Sequence, residues 1–291
     1  MFANPIAGRG KALRIAQALR DRLSDDFAVE NFSLPAVLVD PSRLSAAGRP
    51  EAVVCVGGDG TLQGVAEVTL RRWRDPPPIL LVPLGTANLI AKHLRLPWSE
   101  PRHAERIARA LEARRTMLID ACRCNGRLFL AVAGIGFDAD VVHRLHRNRS
   151  GPITKNSYVL PTVAALRTYD FPRVRVMVDG SEVFPEAPGL VYVGNVREYG
   201  TGIPMLPHAV SNDRLLDVCV LPCRSKRQAL KWMMRAAINE HIGHEGAVYV
   251  RGRHARVDAP TPVAIQLDGE AAGHTPAEIE LLDRPLEFVV A

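Results

Sequence analysis

One stretch, Val53-Val54-Cys55-Val56-Gly57-Gly58-Asp59-Gly60-Thr61, constrains this chain more than any other. An apolar run of strand length ends in glycines, and a helical pattern resumes over Thr61–Arg72. Glycines let the backbone approach a ligand closely and adopt positive φ. The start of the following helix offers free N–H groups and a partial positive charge, which suit a phosphate. Asp59 stands where it can hold Mg2+, directly or through water, or cap the helix.

The same logic appears twice more. Ile79–Val82 runs into Pro83-Leu84-Gly85-Thr86-Ala87-Asn88, with a helix expected over Ala87–Leu94. The chain opens on Asn4-Pro5-Ile6-Ala7-Gly8-Arg9-Gly10 before a helical pattern over Lys11–Leu23. None of the three is a Walker loop, because G-x-x-x-x-G-K-[ST] is absent. Strand-to-helix turns of this kind share one edge of an open α/β sheet, where ligands bind. With a further helix expected over Pro101–Ala113, residues 1–115 read as a parallel sheet covered by helices. Met1-Phe2-Ala3 is short for a first strand, so the natural start is expected upstream or the strand truncated.

Beyond residue 116 the rhythm becomes antiparallel. Thr116–Arg123 and Arg127–Ala133 flank Asn125-Gly126, and Arg173–Val178 and Ser181–Pro185 flank Asp179-Gly180; both dipeptides signal hairpins. Gly189–Val196, Leu215–Leu221, Tyr249–Arg251, Ala255–Asp258 and Val263–Leu267 read as further strands. Helices are expected over Phe137–Asn148, Ser157–Thr168 and Ser225–Ile242. Gly134-Ile135-Gly136-Phe137-Asp138-Ala139 fits the dinucleotide pattern G-x-G-x-x-A, but Lys155 and Asn156 stand where an acidic residue is required.

The 291 residues suggest two domains at roughly 100–200 residues each. The balance of 37 − 31 = +6 favours anionic partners. Aromatic residues are 5% and no nucleic-acid motif accompanies the charge, so nucleic acid is not expected. Five cysteines in a long chain argue for reduced structural thiols, Cys122-x-Cys124 included. No apolar run reaches the roughly 18 residues of a spanning helix, and no signal peptide opens the chain. A cytoplasmic protein is expected, and peripheral contact at the inner face of the membrane stays open.

Taken together, these segments resemble the diacylglycerol kinase catalytic-domain family, which includes bacterial lipid kinases and sphingosine kinases. The resemblance runs through Asn4-Pro5-x-Ala7-Gly8, Gly57-Gly58-Asp59-Gly60-Thr61, Pro83-x-Gly85-Thr86-x-Asn88 and Asp120 before Asn125-Gly126. It continues through Gly134–Asp138, Gly194-Asn195, Asn212-Asp213-x-Leu215-x-Asp217 and Asp268-Gly269-Glu270. It implies a three-layer α/β domain of the NAD kinase and diacylglycerol kinase type over 1–115, then a β-rich sandwich over 116–274 that takes the lipid. The segment from about 275 to 291 is expected to pack back onto the first domain, and the active site to lie in the cleft.

The resemblance assigns ATP contacts to Asn4, Pro5, Ala7, Gly8, Gly57, Gly58, Asp59, Gly60, Thr61, Gly85, Thr86 and Asn88. Asp59 and, through water, Asp120 would organise Mg2+. Asp213 with the carbonyls of Val210 and Leu215 would hold a structural Mg2+. Glu270 would accept the hydroxyl proton, with Asp268 beside it. The chemistry agrees: phosphoryl transfer needs positioning and charge neutralisation, and a hydroxyl is a weak nucleophile until a base takes its proton. Leu89 departs from the family, many of whose members carry Asp there on the acceptor side; Ala131 and Asn212 depart as well.

The expected function is an ATP- and Mg2+-dependent lipid kinase with a diacylglycerol-type acceptor. A kinase of NAD or another soluble substrate, and a nucleotide- or lipid-binding regulator, are the alternatives. A homodimer stays open. Arg227, Lys231 and Arg235, at helical spacing beside Trp232, Met233 and Met234, suit either an anionic membrane surface or a solvated face with Trp and Met in the core. Arg144, Arg147, Arg149 and Lys155 form a second basic candidate. His241 and His244 read as helix-end histidines, and Tyr199–Gly202 as a loop bordering the lipid cleft.

Overall fold

The structure is a computed structural model and describes residues 1–24, 26–33, 48–98, 103–147, 159–200 and 202–291. Arg149 and Lys155 of the second basic candidate lie outside the described residues, as does Pro101. The chain divides into Met1–Ile119 with Pro285–Ala291, and Asp120–Arg284.

The first unit contains β1 (Phe2–Ala3), a 3-10 turn over Ala7–Gly10, α1 (Lys11–Leu23) and β2 (Phe32–Ser33). It continues with β3 (Val53–Gly57), α2 (Asp59–Arg72), β4 (Ile79–Pro83), α3 (Leu89–His93), α4 (Ala104–Ala113) and β5 (Thr116–Ile119). The last strand of the chain, Leu286–Val289, inserts between β4 and β5, parallel to the former and antiparallel to the latter. The remaining pairs, β2 with β1, β1 with β3 and β3 with β4, are parallel. Val54, Val56, Leu80 and Val82 pack with α1 and α4 side chains such as Ile15, Leu19 and Ile107. Val53, Cys55, Ile79 and Leu81, which alternate with them, are equally buried. Both faces of the sheet are therefore covered, the condition under which parallel strands read as continuous apolar runs.

The second unit holds β6 (Cys122–Cys124), β7 (Arg127–Phe129), β8 (Val132–Ile135), α5 (Phe137–Arg147), α6 (Val159–Thr168), β9 (Arg173–Val178) and β10 (Ser181–Gly194). There follow β11 (Leu216–Pro222), α7 (Lys226–Ala237), β12 (Val248–Gly252), β13 (His254–Asp258), β14 (Ala264–Leu267), β15 (Glu270–His274) and β16 (Ala277–Leu281). Strand β10 joins two sheets: its first half pairs with β9, its second with β8 and β11. Side chains from both sheets, among them Val176, Val191, Val218, Val257 and Ile265, share one core.

Several elements differ from the sequence-based expectations. Ser181–Pro185 and Gly189–Val196 are one strand, not two. Register shifts between Glu182 and Phe184 and between Phe184 and Ala187 absorb Pro185, which cannot donate to a ladder. The hairpin at Asn125-Gly126 is short, with both turn residues at positive φ. Thr116–Ile119 leaves it for the first sheet, and Val132–Ile135 for the sheet holding β14. The return to the first unit begins at Pro285 rather than near 275, because β16 pairs with β13 and β6. Helix α7 ends at Ala237, short of Ile242, where Asn239 takes a φ of 60°. All five cysteines are free and buried.

Candidate active site

In the first unit the three turns interlock. The Asn4 amide N–H donates to the Val56 carbonyl at 3.1 Å, and its Nδ2 to the Thr61 hydroxyl at 3.0 Å. The Leu84 N–H donates to the Gly57 carbonyl at 2.7 Å. Backbone meets backbone where the second and third turns touch. A Cβ on Gly58 would sit 2.8 Å from Gly85 Cα, and one on Gly85 would sit 2.7 Å from Gly58 Cα. No side chain caps α2 at Gly58, so the first N–H groups of that helix keep no intrahelical partner. Asn4, Pro5, Ala7, Gly8, Gly57, Gly58, Gly60, Thr61, Gly85, Thr86 and Asn88 all belong to these turns, with Gly60 and Thr86 exposed.

Asp59 does not cap its own helix and does not present a free carboxylate. Its Oδ2 accepts the Asn88 N–H at 2.7 Å and its Oδ1 the Leu89 N–H at 2.8 Å, so it caps α3. That is why α3 starts at Leu89 and not at Ala87: Asn88 takes a φ of 50° and clasps Gly85 through both ends of its amide. Burial pushes the Asp59 carboxyl up from its ordinary value, and the two N–H groups pull it back. Each oxygen keeps a second lone pair beyond the N–H it accepts. Leu89 is buried, and its side chain offers no polar contact.

In the second unit, Asp268 and Glu270 part company. Asp268-Gly269 is a hairpin turn with φ values of 51° and 87°. The buried Asp268 carboxylate accepts the N–H groups of Leu130 (2.8 Å), Ala131 (2.9 Å) and Val132 (2.9 Å). It anchors the entry to β8 through these three contacts. Glu270 opens β15 half-buried, and its Oε2 lies 3.2 Å from His146 Nε2, a buried nitrogen with no aligned hydrogen bond.

The two remaining carboxylates for which a metal role was expected, Asp120 and Asp213, are each paired with an arginine. Asp120 is fully buried, and both its oxygens are taken by Arg214, one by the backbone N–H (2.7 Å) and one by Nη1 (2.9 Å). Arg214 Nη2 continues to the Leu282 carbonyl at 2.7 Å. Asp213, expected with Val210 and Leu215 to hold a structural Mg2+, pairs with Arg251 through Oδ2 and accepts the Leu215 N–H through Oδ1 at 3.1 Å. Arg251 Nε also lies 3.6 Å from Asp217. A fixed guanidinium thus supplies the positive charge beside these carboxylates. Among the described residues no cluster of three or more His, Cys, Asp or Glu side chains is arranged for a metal.

Sequence reasoning passed over Arg214, Arg251 and His146, and named Asp138 without giving it a role. Asp138 is half-buried as a residue, yet its Oδ1 is enclosed without a partner among the described residues; Oδ2 accepts the Tyr199 hydroxyl at 2.8 Å. Burial pushes its carboxyl up to about 6. A Cβ on Gly134 would collide with Asp138 and Gln266, so the first glycine of G-I-G-F-D makes room for a carboxylate rather than a dinucleotide. The nearby Tyr169 hydroxyl is likewise buried and unpaired, its ring edge-on to Phe137 and Phe171. The available signal was Asp138 closing an apolar, glycine-spaced run. His241 is buried, with Nε2 3.0 Å from the Met205 carbonyl, and His244 packs edge-on to Trp232.

Two family models match. Residues 1–124 match the diacylglycerol kinase catalytic domain, and residues 131–290 the YegS C-terminal NAD kinase beta sandwich-like domain. A protein named "Diacylglycerol kinase" from Mycobacterium tuberculosis is 28% identical over 296 residues, covering 99% of this chain and 93% of that one. A "Probable lipid kinase YegS-like" from Pseudomonas aeruginosa is 31% identical over 220 residues, covering 75% of this chain and 69% of that one. A crystal structure of a diacylglycerol kinase from Bacillus anthracis matches with a TM-score of 0.74 at 23% identity, covering 100% of this chain and 96% of that one. An NAD kinase from Archaeoglobus fulgidus in complex with ATP matches at 0.52 and 17% identity, covering 99% and 92%.

Proposed function

We propose, from the premise that the chain belongs to the diacylglycerol kinase catalytic-domain family in its YegS-like two-domain form, that it transfers the γ-phosphate of ATP to a lipid hydroxyl, with a diacylglycerol-type acceptor. The observation that supports the reading is the backbone-to-backbone contact of Gly58 and Gly85, which holds two of the three glycine-bearing turns together so closely that neither position tolerates a Cβ. ATP with its Mg2+ is the phosphoryl-donating substrate. The turns at Asn4–Gly8, Gly57–Thr61 and Gly85–Asn88 would hold its phosphates with N–H groups, and Asp59 would hold the third turn in place and accept metal-bound water. Glu270 would take the proton of the acceptor hydroxyl as phosphorus is attacked.

The glycine contact makes its own prediction. Gly58→Ala places a methyl against the Gly85 backbone, which cannot yield as a side-chain tip would. ATP affinity measured by calorimetry is expected to fall about tenfold or more, at the 1–3 kcal/mol typical of overpacking.

The test of the function is label transfer. The full chain is incubated with γ-labelled ATP and Mg2+, together with diacylglycerol, phosphatidylglycerol, a sphingoid base or a polyprenol in mixed micelles. NAD serves as the soluble control, because the fold is also that of an NAD kinase. Label in a lipid is expected; label in NAD alone, or in nothing despite ATP binding, would overturn the reading. EDTA is expected to abolish transfer while leaving the melting temperature unchanged, since Arg251 already neutralises Asp213.

A further inference from the structure

Helix α7 buries Ala229, Trp232 and Ala236. The opposite face carries Leu230, Met234 and Ile238 at i, i+4 and i+8, exposed at 63%, 64% and 64%, with Met233 beside them at 38%. Four of the nine exposed large apolar side chains among the described residues therefore fall on this one helix and its C-cap. A ridge of that kind is unfavourable in water and calls for a cover.

The charges around the ridge say what the cover is. Between Val218 and Asn239 every charged residue is basic: Arg224, Lys226, Arg227, Lys231 and Arg235. None of the five forms an ion pair among the described residues. Lys226 Nζ reaches only the Arg167 carbonyl at 3.1 Å, and the Arg235 guanidinium lies 5.5 Å from the Trp232 ring centre. A solvated face would interleave acids with these bases, and a duplex-binding helix would have no use for four outward apolar side chains. An apolar ridge bordered by unpaired cations matches the boundary of an anionic bilayer. There, apolar side chains enter the acyl edge while basic ones stay at the phosphates.

We infer that α7, roughly 18 Å long, lies in the plane of an anionic bilayer, with Leu230, Met233, Met234 and Ile238 inserted and Arg227 and Lys231 on lipid phosphates. The inference rests on the lipid-kinase reading for its purpose, which is to bring the chain to an acceptor that does not leave the membrane. The surface stands on a different element from Glu270 and the glycine turns, so its variants are expected to fold and to keep their chemistry.

The experiment is co-sedimentation of the full chain with phosphatidylcholine vesicles, with and without phosphatidylglycerol. The wild type is expected to pellet with the anionic vesicles, and less so as salt rises. Arg227→Ala with Lys231→Ala is expected to weaken partitioning about 30-fold, equivalent to about 1 kcal/mol for each basic residue. Leu230→Ser with Met234→Ser is expected to weaken it by at least about tenfold. Equal binding of wild type and variants, or no binding, overturns the docking. So does a dimer in equilibrium ultracentrifugation, or retention on duplex DNA, that these variants abolish in the absence of vesicle binding. Transfer to a short-chain, water-soluble diacylglycerol separates the two readings. Vesicle binding without transfer to any lipid sinks the kinase reading alone; transfer from vesicles unaffected by the variants sinks the docking alone.

Discussion

Glu270→Gln is expected to lose about 10²–10⁴-fold in turnover, the usual contribution of a general base, with ATP affinity and melting temperature close to the wild type. Glu270 sits at the first position of β15, directly after a turn whose two residues are fixed at positive φ. Its Oε2 meets His146 Nε2 at 3.2 Å, and the half-exposed side chain makes no other ion pair among the described residues. An amide keeps the shape and loses the proton-accepting oxygen, so the chemical step should suffer alone. Asp268→Ala is the contrasting control. It strands three buried N–H groups at Leu130, Ala131 and Val132, at about 1–3 kcal/mol for each unsatisfied group before relaxation. Its loss should appear in urea unfolding first and in activity only through the folded fraction. Normal turnover in Glu270→Gln would remove that residue from the role, and a stable, inactive Asp268→Ala would return Asp268 to it.

Arg214→Ala is expected to destabilise the chain by about 3–5 kcal/mol, the cost of leaving a buried charge without its partner. Asp120 has no exposed surface, and Arg214 donates to each oxygen of its carboxylate. The backbone adds a second, separable effect. Arg214 has a φ of 66°, a region that costs an L-residue roughly 1–2 kcal/mol and glycine almost nothing. Arg214→Gly should therefore be the less damaging of the two by about 1 kcal/mol, although both lose the guanidinium. Urea denaturation of the two variants reads the difference. A wild-type midpoint for Arg214→Ala with weakened Mg2+ dependence of transfer would restore Asp120 to the metal network.

The α7 helix illustrates how far a periodic pattern reaches. Spacing alone placed Arg227, Lys231 and Arg235 on one side of a helix, but it could not choose which face meets the core. The fold seats Trp232 in the core and leaves Met233 and Met234 outside, and that choice is what creates an apolar ridge. The long strand β10 makes a similar point. Pro185 and Pro188 read locally as a break, yet two register shifts let one strand cross from sheet to sheet.

What the sequence determined by itself is everything whose cause is local. Apolar runs ending in glycine at Val53–Gly58 and Ile79–Gly85, and the dipeptides Asn125-Gly126, Asp179-Gly180 and Asp268-Gly269, specify strand, turn and helix from the φ values and N–H groups of adjacent residues. The fate of the carboxylates was decided only in three dimensions. Asp59 is occupied from 29 and 30 positions away, Asp213 from 38, Asp120 from 94 and Asp268 from 136 to 138. A carboxylate becomes a base, a cap, an anchor or half of an ion pair according to which donor comes within about 3 Å of it, and no spacing along the chain reports that distance.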